Sequence, residues 1–299
     1  MYKSTSFFNI NADKGLNKWQ MRAYKTANTL NNSFPNFFVN KKLQIKNFKI
    51  ETPEKYWSLI NPQSSPSRAL SDLFWITLPW TQIKQELNEI NIIDIGCGSG
   101  GYLERFNKWS KNLINSYLGL DISPHQNWPE LIKKYPFATF KISDSKNIIN
   151  TIPENTNLIL SQSAIEHFEE DLTFFNQIKY FTQNKKEPLI QIHIFPSAAC
   201  LKLYKYHGVR QYTPRTISKI TKIFKPSSRY TLYNLGGYNC NNLHNKFITE
   251  PKYVYNSSDK RKESPDIYFE ELKQAIIKDL AQKDIPNPSF YALIIKSNM

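Results

Sequence analysis

The 299-residue sequence has few cysteines and no long apolar run. Its three cysteines, Cys97, Cys200 and Cys240, are widely spaced and form no Cys-x-x-Cys pair, which predicts a reduced protein without a disulfide framework. No apolar run reaches the ~18–20 residues that a membrane helix needs. The first residues also lack the apolar core and small-residue cleavage site of a signal peptide. We therefore expect a cytoplasmic protein without a transmembrane segment.

Acidic residues are scarce relative to basic ones. The sequence has 25 Asp and Glu against 39 Lys and Arg, a formal net charge of +14. This balance favours anionic partners such as nucleic acid, a membrane surface or an acidic glycan. The lysines, however, are scattered singly or as pairs such as Lys185-Lys186, not in runs of five or more. Nucleic acid therefore stays an open partner class that the sequence does not favour.

Only nine glycines are present, and four of them lie together after one apolar stretch. The stretch ends at Asp94, glycines follow at Gly96, Gly98 and Gly100, and a helical pattern opens at Tyr102. Glycines let the backbone turn sharply and let a ligand approach where a Cβ would clash. The start of a helix presents unpaired N–H groups to whatever lies in the turn. The run predicts a loop that binds a nucleotide cofactor.

Acidic residues near this loop indicate which cofactor it binds. Gly96, Gly98 and Gly101 also satisfy the dinucleotide pattern Gly-x-Gly-x-x-Gly, so a nicotinamide oxidoreductase is one alternative. The Asp94 carboxylate would repel a pyrophosphate but attract the cationic amino acid portion of S-adenosylmethionine. Asp121 ends a second predicted strand and suits the ribose hydroxyls of either cofactor. Asp144, after a third strand, suits the adenine amino group.

These motifs resemble those of the class I S-adenosylmethionine-dependent methyltransferases. The resemblance rests on Asp94–Gly100, Asp121 and Asp144, and Asn157–Phe168 is similar to that family's fourth strand and the segment after it. It covers roughly residues 90–225 and resumes at the last predicted strand. It implies S-adenosylmethionine as the cofactor and a set of cofactor-binding residues. These are Asp94, Gly96, Cys97, Gly98, Gly100, Asp121, Ile122, Asp144, Ser145 and Ser161.

The alternation of strands and helices from Asn91 onward predicts an α/β fold. We expect a Rossmann-like, doubly wound, mostly parallel seven-stranded sheet with helices on both faces. The predicted strands are 91–95, 117–121, 138–142, 157–161, 188–194, 230–234 and 290–295. Residues 1–88 are predicted to form an N-terminal extension with lid helices, and residues 89–299 the methyltransferase domain. An insertion at about 239–287, with one helix, separates the last two strands.

Three Thr-Pro or Ser-Pro pairs predict helix starts along the chain. Each places a capping hydroxyl just before a proline that fits the first helical turn. The pairs are Thr52-Pro53, Ser65-Pro66 and Thr213-Pro214.

His167 is the candidate catalytic residue. It lies six residues beyond Ser161, the predicted end of the fourth strand, in the segment that faces the acceptor in the resembled fold. An imidazole with a pKa of ~6.5 suits removal of a proton from a hydroxyl near neutral pH. The alternative is that His167 packs beside the methionine part of the cofactor or caps a helix.

The acidic cluster around His167 raises the question of a metal. Glu166, Glu169, Glu170 and Asp171 surround it in sequence. Carboxylates in the first turn of a helix more often stabilise the helix dipole at the surface. No second His or Cys stands at ligand spacing, so we predict no metal site. His193, on the fifth strand, is more typical of a hydrogen-bonded core residue than of a ligand.

Four residues are predicted to contact the acceptor. Tyr206, Arg210 and Tyr212 lie in an aromatic-rich stretch, where rings suit sugars and arginine suits carboxylate or phosphate. Arg68 is predicted to belong to a lid over the cofactor. The alternatives are that the tyrosines cover the edge of the sheet and that Arg68 is an exposed arginine near a helix start.

The sequence predicts a methyltransferase that acts on an oxygen of a saccharide or a small-molecule conjugate. The chain, including Asn61–Arg68, is loosely similar to methyltransferases of surface-polysaccharide biosynthesis. An RNA or protein methyltransferase is an alternative that the basic charge favours. The chain lacks the Asn/Asp-Pro-Pro-Tyr tetrapeptide of many amino-group methylating relatives, with Ser161-Gln-Ser-Ala164 in its place. A non-catalytic scaffold of the same fold is a further alternative.

Overall fold

The computed structural model describes residues 2–299 and contains one central sheet. Among the described residues the sheet has eight strands. They are β1 (Leu43–Asn47), β2 (Ile90–Ile95), β3 (Ile114–Asp121), β4 (Ala138–Ile142), β5 (Leu158–Gln162), β6 (Leu189–Pro196), β7 (Arg229–Leu235) and β8 (Phe290–Ser297). Their order is β1-β7-β8-β6-β5-β2-β3-β4. β8 runs antiparallel to β6 and β7, and the other neighbours pair in parallel.

Eleven α-helices within residues 2–299 connect and cover these strands. They are α1 (Lys18–Asn32), α2 (Pro66–Ile76), α3 (Trp80–Leu87), α4 (Gly101–Trp109), α5 (Trp128–Lys134), α6 (Asp171–Gln183), α7 (Cys200–Leu203), α8 (Pro214–Thr221), α9 (Tyr238–His244), α10 (Glu250–Tyr253) and α11 (Pro265–Ala281). Short 3₁₀ turns occur at Ala12–Lys14, Pro53–Leu59, Ile148–Asn150 and Ile165–His167. Every helix in the described part of the chain is too short or too polar to span a bilayer.

The sheet is buried on both faces, which confirms the predicted doubly wound α/β fold. Every residue of β2 and of β6 is buried, as expected of central strands whose apolar side chains point to two covered faces. One apolar cluster includes side chains of α2, α4, α9 and α11. A second includes side chains of α6 and α8. Each of the seven predicted strands is present, with ends within a few residues of the prediction.

The eighth strand, β1, comes from the segment predicted as an extension. It pairs in parallel with β7, Leu43 opposite Tyr230, at the edge of the sheet. Leu43 is buried, whereas Gln44, Ile45 and Lys46 are exposed. An edge strand with one buried side chain has no apolar alternation to detect. Residues 1–88 therefore contribute to the same sheet as residues 89–299.

The predicted helix starts have different outcomes. The Ser65 and Thr213 side chains accept N–H bonds from Arg68 and Thr216, so α2 and α8 are capped as predicted. A helical segment also begins after Thr52, with Pro53 in its first turn, but it is a 3₁₀ helix and the predicted capping bond from the Thr52 side chain is absent.

The insertion has more structure than the single helix predicted for it. Within residues 239–287 lie most of α9, a π turn at Asn245–Thr249, α10 and α11. α9 and α11 pack together and against α2.

Candidate functional site

A cavity of about 480 Å³ opens at the carboxyl edge of the sheet. Its lining follows the ends of four strands, with Gly96 after β2, Ile122 after β3, Asp144 after β4 and Ser163 after β5. β2 and β5 are neighbours from which the strand order runs in opposite directions. Ligands in open α/β sheets bind at this kind of switch point. We call this cavity the crevice.

The glycine loop contributes Gly96 to the lining of the crevice. Gly96, Gly98 and Gly100 have φ angles of 70°, 55° and 78°, in the left-handed region that favours glycine. A Cβ added to Gly96 would collide with the Cβ of Ala164, which also lines the crevice. A Cβ added to Gly98 would meet no atom within 4 Å. The loop thus packs tightly against the segment after β5 and leaves space beside Gly98.

Asp121 joins the end of β3 to the glycine loop. Its Oδ2 accepts the Gly98 N–H at 2.8 Å and its Oδ1 accepts the Ile122 N–H at 2.8 Å. The Trp128 indole donates to the Gly98 carbonyl at 2.9 Å. A carboxylate has lone pairs beyond these two bonds, so Asp121 can accept further donors from the crevice.

The wall opposite the glycine loop combines an apolar side chain with polar groups. Ile122 lines the crevice with 73% of its surface exposed. Asp144 and Ser145 line it too, and Asp144 Oδ1 accepts the Lys146 N–H at 2.9 Å. The exposed apolar side chain of Ile122 and the carboxylates of Asp121 and Asp144 thus line the same crevice.

Asp94 lies beneath the crevice rather than in its lining. It is buried, and its Oδ2 accepts the Tyr117 hydroxyl at 2.7 Å. Burial raises the pKa of Asp94 to about 7, with the negative charge of Asp121 adding to the rise, despite the bond from Tyr117. Cys97 is half-buried, and burial raises the pKa of its thiol, as expected of a small filler rather than a nucleophile.

Ser161 does not reach the crevice, so its predicted cofactor contact is wrong. Its side chain is fully buried, and Oγ is hydrogen-bonded to His193 Nδ1 at 2.8 Å. β5 runs one residue beyond the predicted end, and Ser163 and Ala164 line the crevice instead. Burial lowers the pKa of His193 to about 3, which fits the core histidine described above.

His167 lies at the mouth of the crevice, in the 3₁₀ turn after β5. Its Nδ1 donates to Asp13 Oδ2 at 2.6 Å. Burial lowers the pKa of His167, but the bond to Asp13 and the negative charges of Glu166 and Asp13 outweigh it and raise the pKa overall. Asp13 thus orients the ring through Nδ1, and the other ring nitrogen, Nε2, makes no hydrogen bond within residues 2–299.

The structure places a second histidine beside Glu166 and His167. The ligand atoms of Glu166, His167 and His207 all lie within 4.8 Å of one another. We predicted no metal site because no second histidine stood at ligand spacing in the sequence. In the fold His207 lies beside Glu166 and His167, so the reason for predicting no metal site no longer holds.

Arg210 and Tyr212 are buried, so their predicted contact with the acceptor is wrong. Arg210 donates to the carbonyls of Phe168 and Glu169, and lies 3.4 Å from Asp171 Oδ2. The Tyr212 hydroxyl donates to the same Asp171 oxygen at 2.9 Å. The two residues hold the turn after β5 in place from behind.

Arg68 and Tyr206 also stand outside the crevice lining. Arg68 is half-buried, and its Nη1 donates to the Tyr102 hydroxyl of α4 at 2.8 Å. Tyr206 is half-buried, with its ring near Tyr24 and under Lys25. Their contact with an acceptor stays a prediction.

The N-terminal segment supplies residues that the sequence did not indicate. Asn11 and Lys14 line the crevice, and Lys14 Nζ pairs with Glu169. The Thr5 N–H donates to buried Asp171 at 2.8 Å. With Asp13, these contacts join residues 5–14 to the turn after β5, about half the chain away. No local motif signals such a pairing.

No family model matches the chain, and no curated protein matches it. The solved structures that are similar to it include three methyltransferases. They are the plantazolicin methyltransferase BamL in complex with a triazolic desmethylPZN analog and SAH (14% identity, 82% of this chain, 94% of that chain, TM-score 0.48), the plantazolicin methyltransferase BpumL in complex with SAH (15%, 94%, 98%, 0.46), and a SAM-dependent methyltransferase from Archaeoglobus fulgidus (15%, 74%, 94%, 0.42).

Proposed function

We propose that this chain is an S-adenosylmethionine-dependent methyltransferase that acts on an oxygen of a small molecule or a saccharide conjugate. The observation that carries the proposal is the hydrogen bond from the Gly98 N–H to the Asp121 carboxylate, which connects β3 to the glycine loop at the switch point of the sheet. It sets the Asp121 carboxylate, the backbone of Gly96 and the exposed Ile122 around one crevice. This combination fits a nucleoside whose sugar needs acceptors and whose base needs an apolar face.

The crevice residues fit S-adenosylmethionine part by part. Asp121 would accept the ribose hydroxyls, and Ile122 would cover the adenine, with Asp144 and Ser145 near its amino group. The space beside Gly98 is open to the rest of the ligand. Asp94, whose pKa lies near neutrality, would be ionised by a nearby cation such as the ammonium of the cofactor.

S-adenosylmethionine supplies a methyl group on a sulfonium, which is already activated for transfer. The protein's own task is to align the acceptor and exclude water. Asp13 holds His167 by Nδ1, so Nε2 is the atom that would take the acceptor's proton. A carboxylate that fixes the tautomer of a basic imidazole is a recurrent arrangement in catalysis.

The saccharide is the least supported part of the proposal. The crevice lining comes from residues 11, 14, 95–96, 120–122, 143–146, 148, 163–164 and 167–169. The insertion at 239–287 therefore does not form its wall, and Arg210 and Tyr212 are buried. What supports a saccharide is Tyr206 and the loose resemblance to polysaccharide-pathway enzymes. The net charge of +14 would attract an acidic or nucleotide-linked sugar.

The same charge favours RNA as the alternative acceptor. An RNA methyltransferase would bind its substrate with a strong dependence on salt. A scaffold without activity would bind the cofactor or nothing and would methylate no acceptor.

One experiment separates these classes. S-adenosylmethionine with a labelled methyl group is incubated with the protein and with total RNA, protein lysate, nucleotide sugars and glycans in parallel. We expect label in the sugar or glycan fraction, and much less of it there with Asp121→Ala when the cofactor is below saturation. Label only in RNA or protein would overturn the acceptor assignment. Label in no fraction, with cofactor bound, would support the scaffold.

A further inference from the structure

Glu166 is a buried carboxylate that accepts no hydrogen bond from the described part of the chain. None of its surface is exposed, and neither Oε1 nor Oε2 has a hydrogen-bond partner. A buried carboxylate without hydrogen bonds is disfavoured unless a cation lies close enough to compensate its charge. The groups that face it are two imidazoles, at distances too long for hydrogen bonds. His167 Nε2 is 4.0 Å and His207 Nε2 is 3.8 Å from Oε1.

The two imidazoles are oriented toward the same point. Their rings are perpendicular, with centroids 4.7 Å apart, and about a third of each side chain is exposed. His167 donates its Nδ1–H to Asp13, so in the neutral ring the lone pair is on Nε2, which lies 4.0 Å from Glu166 Oε1. Histidines that bind metals usually donate their other ring N–H to a carboxylate or carbonyl in this way.

The backbone around the cluster is fixed by several bonds. The Glu166 carbonyl accepts the Val209 N–H at 2.8 Å, and the Tyr24 hydroxyl donates to the His207 carbonyl at 2.8 Å. Asp13 Oδ1 accepts the Gly208 N–H at 3.0 Å. A Cβ at Gly208, whose φ is +63°, would lie 2.8 Å from the Glu166 carbonyl oxygen. These contacts bring the segment after β5, the loop before α8 and the N-terminal segment together at one point.

We propose that Glu166, His167 and His207 bind one divalent transition-metal ion of the Mn²⁺ to Zn²⁺ series. Two imidazoles and one carboxylate are ligands that these ions accept, whereas Mg²⁺ and Ca²⁺ prefer oxygen alone. Ligands of a tetrahedral zinc lie about 3.4 Å apart. The distances of 3.8 and 4.0 Å therefore close by small side-chain rotations. The ion supplies the partner that the Glu166 carboxylate lacks.

The site adjoins the crevice, because His167 belongs to both. Three protein ligands leave coordination positions open for water or a substrate oxygen. If the acceptor's oxygen takes one of these open positions, the metal acts in methyl transfer, and this part of the inference rests on the proposed function. An ion at Nε2 takes the lone pair of His167, so this residue acts as a base only in the metal-free protein.

The test measures metal uptake directly and not through activity. The full chain, without an affinity tag, is stripped with a chelator, equilibrated with Zn²⁺ alone and desalted, and its zinc is counted by mass spectrometry. We expect about one zinc per chain for the wild type. Glu166→Gln and His207→Gln should each retain less than about a tenth of it, and Asp13→Asn should bind ~10–100-fold more weakly. Co²⁺ should give a visible absorption band that both ligand variants lose.

His125→Gln is the matched control. His125 is also about a third exposed but faces Asp121, so this variant should bind zinc as the wild type does. Equal zinc in the wild type, Glu166→Gln and His207→Gln, or zinc in none of them, would overturn the proposal. S-adenosylhomocysteine binding is measured on the same samples. If the wild type binds S-adenosylhomocysteine but no zinc, the metal inference falls while the proposed cofactor site stands.

Discussion

Asp121 has two backbone bonds in the crevice, to Gly98 and Ile122, and is proposed to hold the ribose as well. Asp121→Ala removes all of these acceptors. We expect the affinity for S-adenosylhomocysteine to fall by roughly 1.5–3 kcal/mol, the scale of hydrogen bonds to a charged group. Glu130→Ala, an exposed carboxylate on α5, is the control and should bind like the wild type. Unchanged affinity in Asp121→Ala would place the ribose elsewhere.

Asp94 makes stability depend on pH. Burial raises its pKa from 3.8 to about 7, so between these values the folded state holds a proton that the unfolded chain releases. Stability from this group is therefore lost as pH rises through this window. Asp94→Asn does not titrate, and from pH 5 to pH 8 the wild type should lose roughly 2–3 kcal/mol relative to it. Urea unfolding at both pH values measures this. The same difference at both would contradict the shifted pKa.

His167 is placed where it affects turnover more than cofactor binding. Its contacts are Asp13 and the Glu166–His207 pair, and it stands at the mouth of the crevice. His167→Ala should keep the affinity for S-adenosylmethionine while turnover falls ~10²–10⁴-fold. Calorimetry and a methyl-transfer assay on the same preparation give the two quantities. If binding and turnover fell equally, the residue would instead pack against the cofactor.

At the residue level, the sequence predicted the acids at the ends of the strands. It did not predict the residues that approach His167 from distant segments of the chain. Asp121 and Asp144 follow strands whose ends share one edge of a parallel sheet, so their proximity follows from topology. Asp13 and His207 approach His167 from distant segments, and no spacing rule relates them. The acceptor contact predicted for Arg210 was wrong because the sequence pattern of a basic residue among tyrosines is the same whether the residue faces a ligand or a buried carboxylate. Arg210 faces the buried carboxylate of Asp171.

At the level of elements, two threonines with the same sequence signal behave differently. Thr213 accepts the Thr216 N–H and caps α8, whereas Thr52 makes no capping bond. Thr213→Ala should lower the free energy of unfolding by about 1 kcal/mol. Thr52→Ala should change it by less than about 0.5 kcal/mol. Equal losses in chemical denaturation would mean that Thr52 is also a cap.

Most strands were predictable because central parallel strands are continuous apolar runs. β2, β5 and β6 are fully buried, and most of their residues are apolar. β1 was not predicted because it has only one buried residue and is positioned by its pairing with β7. The order of the strands and the docking of residues 5–14 depend on contacts across the chain, which local patterns do not contain.

For the whole molecule, the doubly wound sheet sets where a ligand binds but not which ligand. A nicotinamide dinucleotide and S-adenosylmethionine both use a glycine loop and a ribose acid at the switch point. The crevice differs from a dinucleotide site in the carboxylate beneath the loop. Asp94 is buried there, and a pyrophosphate above it would be repelled once it ionises.

Isothermal calorimetry with three ligands therefore tests most directly whether the crevice binds S-adenosylmethionine. The full chain is titrated with S-adenosylmethionine, S-adenosylhomocysteine and NAD(P) at neutral pH. We expect the first two to bind with a stoichiometry of one per chain, and NAD(P) to give no binding heat. Binding of NAD(P) without S-adenosylhomocysteine would contradict the account and make the crevice a dinucleotide site.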